Sequence, residues 1–239
     1  MGAWTTGELL GFDLETTGVD RFNDVPVSYA VAYAVSGRIR FSWSGLIDPG
    51  RDIPEEATAV HGISRAQARS EGMPLGEAVA LIADVVLSAS RRRVPLLGMQ
   101  LDFDLTMLEV QARRLLGCGI VERGWFGPVL DAAVLDRHYD PGREGRRTLG
   151  ALCAHHGTDI GQAHDACDDA IASMKVLLAM AEGCHRLRDG DPSALHRAQI
   201  HWHREWAQRC DGRRQSDGMI SLDPRDYVWP VAPVVAPAA

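Results

Sequence analysis

The chain has no apolar run approaching the roughly 18 residues that span a bilayer, and no basic segment followed by a long apolar stretch near its start. A cytoplasmic protein without membrane partners is expected. Met1-Gly2-Ala3-Trp4-Thr5-Thr6 formally fits a myristoylation pattern, but such short patterns recur by chance and a strand is expected from Glu8. Cys118, Cys153, Cys167, Cys184 and Cys210 form no CxxC pair, and an odd, widely spaced set does not build a disulfide framework. Reduced thiols follow. Paired-cysteine and HExxH zinc patterns are missing too, so His155, His156, His196, His201 and His203 read as surface histidines. Nor is there an excess of positive charge. A formal net charge of -7 excludes a protein that coats nucleic acid by bulk electrostatics. Contact with nucleic acid would have to be local. Carboxylates gathered around divalent cations would provide it, because bound metal offsets their charge where a phosphate sits.

What is present is enough apolar material, 46% of 239 residues, for one buried core with an appendage. Strands are expected at Glu8 to Phe12, Val27 to Val35 and Ile39 to Ile47, the last closing on Asp48-Pro49-Gly50. A helix over Leu75 to Ser90, an apolar run at Val94 to Leu97 and a helix over Phe103 to Leu116 follow. Val129 to Leu135, Thr148 to His155 and Ala166 to Ala181 continue the alternation. The fold class is therefore α/β, three antiparallel strands followed by strand-helix units in a mixed sheet flanked by helices. After a break at Asp189-Gly190-Asp191-Pro192, a further helix puts Leu195, Ala198, Trp202 and Trp206 on one face and docks by its tryptophans. Pro230 to Ala239 contains only Pro, Ala and Val; it reads as a disordered tail or a peptide for a partner.

The carboxylates carry the chemistry. Strand alternation points Asp13 and Glu15 to one face, about 7 Å apart along the strand, where they can share a cation. A polar strand end entering the Thr16-Thr17-Gly18 turn explains this pair equally well, and on the pair alone is preferred. At about 100° per residue, Asp102 shares a stripe with Thr106, Glu109 and Arg113 and reads as solvated. Asp104 aligns with Leu108, Gln111 and Leu115. A carboxylate on the apolar stripe is costly to bury without a cation or hydrogen bonds, which makes Asp104 a functional candidate; helix capping is its structural alternative. Further on, Asp165 is placed as an N-cap and Asp168 lies on a polar face, whereas Asp169 falls inward with Ser173, Val176 and Met180. His164 precedes that helix and is free to point at whatever Asp169 binds, although a lone histidine there is more often a polar loop residue.

Together these segments resemble the DEDDh exonucleases, the family that includes the proofreading epsilon subunit of bacterial DNA polymerase III. Phe12-Asp13-Leu14-Glu15-Thr16-Thr17-Gly18 is similar to the first motif, Phe103-Asp104 to the second, and His164 with Asp169 five positions later to the third. The tyrosine of the sister DEDDy group would fall at Asp165, so the histidine subclass is indicated. Val60-His61-Gly62-Ile63 resembles the segment that meets the terminal nucleotide, and Thr148-Leu149 opens a helix before the third motif. One departure is Met99-Gln100, where relatives commonly carry His-Asn.

The resemblance implies a ribonuclease H-like exonuclease domain over 1-183, an amphipathic helical extension over 184-212 and a Pro/Ala/Val-rich tail over 213-239. It implies 3′-to-5′ hydrolysis of a single-stranded or frayed 3′ end, DNA favoured and RNA the alternative, in proofreading or repair. Two divalent cations, Mg²⁺ or Mn²⁺, would be held by Asp13, Glu15, Asp104 and Asp169, with Asp13 bridging and His164 as general base; substrate contacts are implied at Leu14, Thr16, Thr17, His61 and Phe103. Histidine suits proton removal because its unperturbed pKa is about 6.5. A DNA polymerase subunit is a candidate partner through the C-terminal segment. A rival reading is a binding subunit with a vestigial nuclease site. Arg91-Arg92-Arg93 reads as solvated surface, and Arg143 with Arg146-Arg147 is the better candidate for phosphate contact.

Overall fold

The computed structural model describes residues 4–234. Strands β1 (Glu8–Thr16), β2 (Pro26–Val35) and β3 (Arg38–Asp48) form an antiparallel meander. The two-residue turn between β2 and β3 uses positive φ at both Ser36 (53°) and Gly37 (70°), the twist that suits a tight hairpin. Two short helices, α1 (Glu55–His61) and α2 (Arg65–Glu71), come next. The sequence did not announce them, because seven residues each, with Ala68 alone fully buried, leave no apolar stripe to detect. Then follow β4 (Met73–Pro74), α3 (Leu75–Arg92), β5 (Leu96–Gly98), α4 (Leu101–Leu116) and β6 (Val129–Asp131). Helices α5 (Ala132–Tyr139), α6 (Leu149–His156), α7 (Ala166–Gly183), α8 (His185–Arg188) and α9 (Pro192–Ser216) complete the regular elements.

The six strands run in the order β4-β3-β2-β1-β5-β6. Because β1 is antiparallel to β2 but parallel to β5, and β5 to β6, the carboxyl ends of β1, β5 and β6 share one edge of the molecule. Alternation along β1 splits the core into two layers. Leu10, Phe12 and Leu14 pack with α3 and α4, while Leu9 packs with Ala32, Ala34 and the α7 residues Met174 and Leu177. Helix α7 lies so close to the strand that a Cβ on Gly11 would sit 2.4 Å from Met174 Sδ and 3.1 Å from the Ala170 carbonyl oxygen. That approach sets the start of α7 beside the end of β1. No described helix is long and apolar enough to cross a membrane.

Asp131 ties the carboxyl edge together. Its carboxylate is wholly buried and accepts from the backbone N–H groups of Gln100 (3.2 Å), Leu101 (2.8 Å), Ala133 (2.8 Å) and Val134 (3.3 Å), so one side chain caps both α4 and α5. Asp131→Ala should lower stability by about 2–4 kcal/mol, a lost cap plus orphaned buried donors. Urea unfolding would test this; a loss under about 1 kcal/mol would mean that water replaces the carboxylate.

Three expectations need correction. The Pro230 to Ala239 segment is not simply a free tail. Trp229 (2% exposed) and Ala232 (1%) are buried against the first core layer, and Ala232 N–H donates to Thr106 Oγ1 at 2.9 Å. A segment without a core of its own gains one by packing on α4; residues 235–239 lie outside the described ones. His196 and His203 are not surface histidines but buried, and burial depresses both, His196 to about 4. Finally, α9 docks chiefly by Leu195, His196, Gln199, His203 and Ala207; of its tryptophans, half-buried Trp202 packs against both core layers as expected, while Ala198 and Trp206 are half-buried.

Candidate active site

Asp13 and Glu15 project from the end of β1, Asp104 from the first turn of α4, and Asp169 from the first turn of α7. Glu15 (9% exposed) and Asp104 (4%) are buried, Asp13 and Asp169 are half-buried, and His164 is exposed. Asp104 Oδ1 accepts the Leu14 N–H at 3.1 Å, which pins the start of α4 to β1. Asp169 Oδ2 accepts the His164 N–H at 3.2 Å, while its Oδ1 is buried with no hydrogen-bond partner. Asp165 caps α7 by accepting from the Cys167 and Asp168 N–H groups, as expected.

Burial and mutual repulsion raise these carboxyls. Asp13 is pushed well up, first by desolvation and then by Asp104, Glu15, Asp169 and Asp165. Glu15 rises to about 8 through desolvation, Asp169 and Asp165. Desolvation raises Asp104 and Asp169 as well. Such a set of hard oxygen donors costs free energy unless it is protonated or neutralised. Among the described residues, Glu15, His164 and Asp169 each offer one ligand atom, all within 4.8 Å of one another. The unpartnered Asp169 Oδ1 adds a vacant acceptor, so the side chains present fit a divalent cation.

The raised pKa values have a thermodynamic sign. An acid with a higher pKa in the folded state holds its proton more tightly there, so its stabilising contribution is complete below the unfolded pKa and lost as pH rises through the folded one. For Glu15 that window runs from 4.5 to about 8. The metal-free protein should lose stability across it, on the order of 3 kcal/mol at about 1.36 kcal/mol per unit and with some water entry allowed. Saturating Mg²⁺ should flatten the slope. Urea midpoints at stepped pH, with EDTA or with Mg²⁺, measure this; a flat profile in EDTA would mean that neither burial nor the neighbouring carboxylates raise Glu15.

The remaining sequence candidates divide. His61 shares with Glu15, Ser28 and His164 a cleft of about 450 Å³, and burial lowers its pKa. Its Nδ1 accepts from the Ile63 N–H at 3.1 Å. Thr16 Oγ1 donates to the Gly18 carbonyl (2.7 Å), and the Thr17 hydroxyl donates to Asp24 Oδ1 (2.7 Å), so both shape the turn after β1. The Leu14 side chain lies in the core on the opposite face of β1. Phe103 lines a separate depression with Phe22 and Arg225. Met99 packs against the second core layer, and Gln100 adopts φ 58° as the residue preceding α4.

Two charge assignments change. Asp102 is not solvated: Arg21 donates to its Oδ2 at 2.8 Å, its side chain is 19% exposed, and burial raises it to about 6. Its stripe is covered, since Thr106 receives the C-terminal segment and Glu109 accepts the Val121 N–H. The favoured arginine cluster is engaged internally. Arg143 and Arg147 both pair with the buried Asp136 of α5, which removes them as free phosphate contacts. In the other run, Arg92 pairs with Glu8 at 2.6 Å and Arg93 ends α3 in the left-handed conformation.

Comparison with known proteins converges on this layout. A family model described as an exonuclease, RNase T, matches residues 10–177, most of the chain and all five converging residues. A DNA polymerase III subunit epsilon-like protein of Rhodobacter capsulatus is 29% identical over 180 residues, covering 71% of this chain and 23% of that protein. Exonuclease I of Methylocaldum szegediense has TM-score 0.63 at 22% identity, over 77% of this chain and 42% of its own. Escherichia coli exonuclease I in complex with a dA16 oligonucleotide has TM-score 0.65 at 20% identity, over 83% and 44%. The chain thus spans a quarter to under half the length of these relatives, and at such identities the structures speak for the fold, a ribonuclease H-like mixed sheet flanked by helices. With its fold, its motif order and the family model in agreement, the chain belongs to the exonuclease family.

Proposed function

We propose that this chain hydrolyses phosphodiester bonds at the 3′ end of single-stranded or frayed nucleic acid, with DNA favoured, in the cytoplasm and in proofreading or repair. The observation that carries the reading is that residues distant in sequence meet at the end of β1: Glu15, His164 and Asp169 bring ligand atoms within 4.8 Å of one another, and Asp13 beside them is raised by burial and by Asp104, Glu15 and Asp169. A vestigial binding subunit would have no reason to keep so costly a cluster.

Asp13, Glu15, Asp104 and Asp169 would hold two divalent cations, Mg²⁺ or Mn²⁺, which lower the pKa of bound water and neutralise charge on the phosphoryl oxygens. His164, exposed beside Glu15 and Asp169, would accept the proton of the attacking water on a ring nitrogen. His61 at the cleft wall would face the terminal nucleotide, and Leu14, Thr16, Thr17 and Phe103 would support substrate through the turn after β1 and the start of α4. DNA is favoured because the relatives named are an epsilon-like polymerase subunit and an exonuclease I bound to a deoxyoligonucleotide. The epsilon-like relative also supports a polymerase subunit as a partner.

Purified protein with Mg²⁺ or Mn²⁺ should shorten 5′-labelled single-stranded DNA stepwise from a free 3′ hydroxyl and spare a 3′-blocked copy. The same gel with RNA reports the sugar preference. Equal degradation of blocked and free substrates, or none with either metal, would overturn the proposal.

A further inference from the structure

A second polar cleft, of about 570 Å³, lies between α5 and α9. It is lined by Arg137, Arg209 and Arg213, and by Arg147, which Asp136 already holds, with Trp202, Trp206 and His138 among the other walls. Its one lining acid is Glu205, which is already paired with His201 at 3.1 Å. Arg137 is the unusual member. Its guanidinium lies 4.1 Å from the Trp206 ring centroid, and its Nε is buried with no hydrogen-bond partner. Among the described residues it makes no ion pair, although Asp102 and Asp131 act on it from a distance, and desolvation lowers its pKa. A half-buried guanidinium with an unpartnered Nε and no carboxylate beside it is costly to maintain unless an anion reaches it. Arg209 and Arg213 are exposed at the same cleft, and among the described residues neither makes an ion pair, Arg213 donating only to Cys210 Sγ at 3.5 Å.

The anion this set suits is a phosphodiester with a base attached. Guanidinium groups fork onto phosphate oxygens, and in this chain all basic side chains but Lys175 are arginines. Beside them, His138 stacks on Trp202 at 3.6 Å with 12° between the planes, and His138 is itself exposed, so a ring face is offered to a base. The cleft also connects to the carboxylates through the framework: α5 starts at Asp131, whose carboxylate holds the N-terminus of α4 where Asp104 sits. Helix α9 lies beyond residues 10–177, so one wall of this cleft, with Arg209 and Arg213, falls outside the matched family domain.

We propose that the cleft between α5 and α9 binds single-stranded nucleic acid through its phosphodiester backbone, holding the strand upstream of the 3′ end that the carboxylate cleft receives. This rests on the reading of the chain as a nuclease. Binding is therefore measured apart from cleavage, by fluorescence anisotropy of labelled (dT)20 and (rU)20 with the full chain in EDTA. Arg209→Ala/Arg213→Ala, two exposed substitutions, should weaken binding at low salt by about tenfold or more. The slope of log Kd against log salt should fall by about 1.4, at roughly 0.7 per phosphate contact on a single strand. Arg209→Glu/Arg213→Glu should weaken binding further, with circular dichroism reporting an unchanged fold. Polyglutamate of equal charge should compete poorly; displacement as efficient as by unlabelled oligonucleotide would assign the cleft to acidic peptides and overturn the proposal. Unchanged affinity and salt slope in both double variants, alongside normal cleavage by the wild type, would refute the cleft while sparing the nuclease. A wild type that neither binds nor cleaves either strand would refute both.

Discussion

Asp13→Asn should leave no measurable exonuclease cleavage, a loss of at least about 10³-fold, in a protein that in EDTA is more stable than the wild type. The two halves share one cause. Asp13 stands where the repulsions meet, raised by burial and by Asp104, Glu15, Asp169 and Asp165. Asparagine keeps its shape but removes the charge, so the metal-free fold is relieved of a desolvated carboxylate, by about 1–3 kcal/mol or roughly 2–10 °C in Tm for a domain of this size. The same change removes a charged oxygen donor that would hold the cations, and with it the electrostatic stabilisation those cations would give the reacting phosphoryl group. Differential scanning calorimetry in EDTA and in Mg²⁺ separates the effects: Mg²⁺ should raise the Tm of the wild type more than that of the variant. Cleavage within about tenfold of wild type would remove Asp13 from the machinery.

Why these carboxylates could be found from sequence, while other features could not, follows from what periodicity encodes. Asp13 and Glu15 sit on a strand whose alternation fixes their common face, and Asp104 and Asp169 stand out as charges on apolar helical stripes. Periodicity gives the direction in which a side chain points, but not what comes to cover it. Asp102 shows the difference: its helix face looks polar, yet Arg21 from the loop after β1 and the returning C-terminal segment close over it. Arg143 and Arg147 looked free because their partner, Asp136, becomes a buried acid only once α5 packs. The same holds for the segment after Tyr227, whose composition cannot make a core but whose Trp229 can join one. This docking also bears on the polymerase tether. Removing residues from Asp217 onward would strip Trp229 and Ala232 from α4, so a lost partner after that deletion would report damage to the fold as readily as loss of a binding peptide.

His164→Ala should lower the cleavage rate by about 10²- to 10⁴-fold, the usual cost of a missing general base, while Mg²⁺ affinity changes by less than about threefold. The backbone already distinguishes this residue from the carboxylates. His164 has φ 63°, a left-handed conformation in which histidine is enriched but still uncommon. It is held there by its own N–H donating to Asp169 Oδ2, one residue before the Asp165 cap of α7. The consequence is an exposed imidazole over the cleft, attached to a fixed main chain. One of its ring nitrogens comes within 4.8 Å of a Glu15 and an Asp169 oxygen, close enough to serve either as a base or as a ligand. The two roles predict different data. A base leaves calorimetric Mg²⁺ binding intact in His164→Ala and removes the acid limb of the pH–rate profile; a ligand costs affinity, and added metal restores the rate. His164→Gln, which keeps a polar tip but cannot take a proton, should behave like alanine if the imidazole is the base. Recovery of more than about a tenth of wild-type rate in the glutamine variant would assign His164 to holding or orienting, and would leave proton removal to another group.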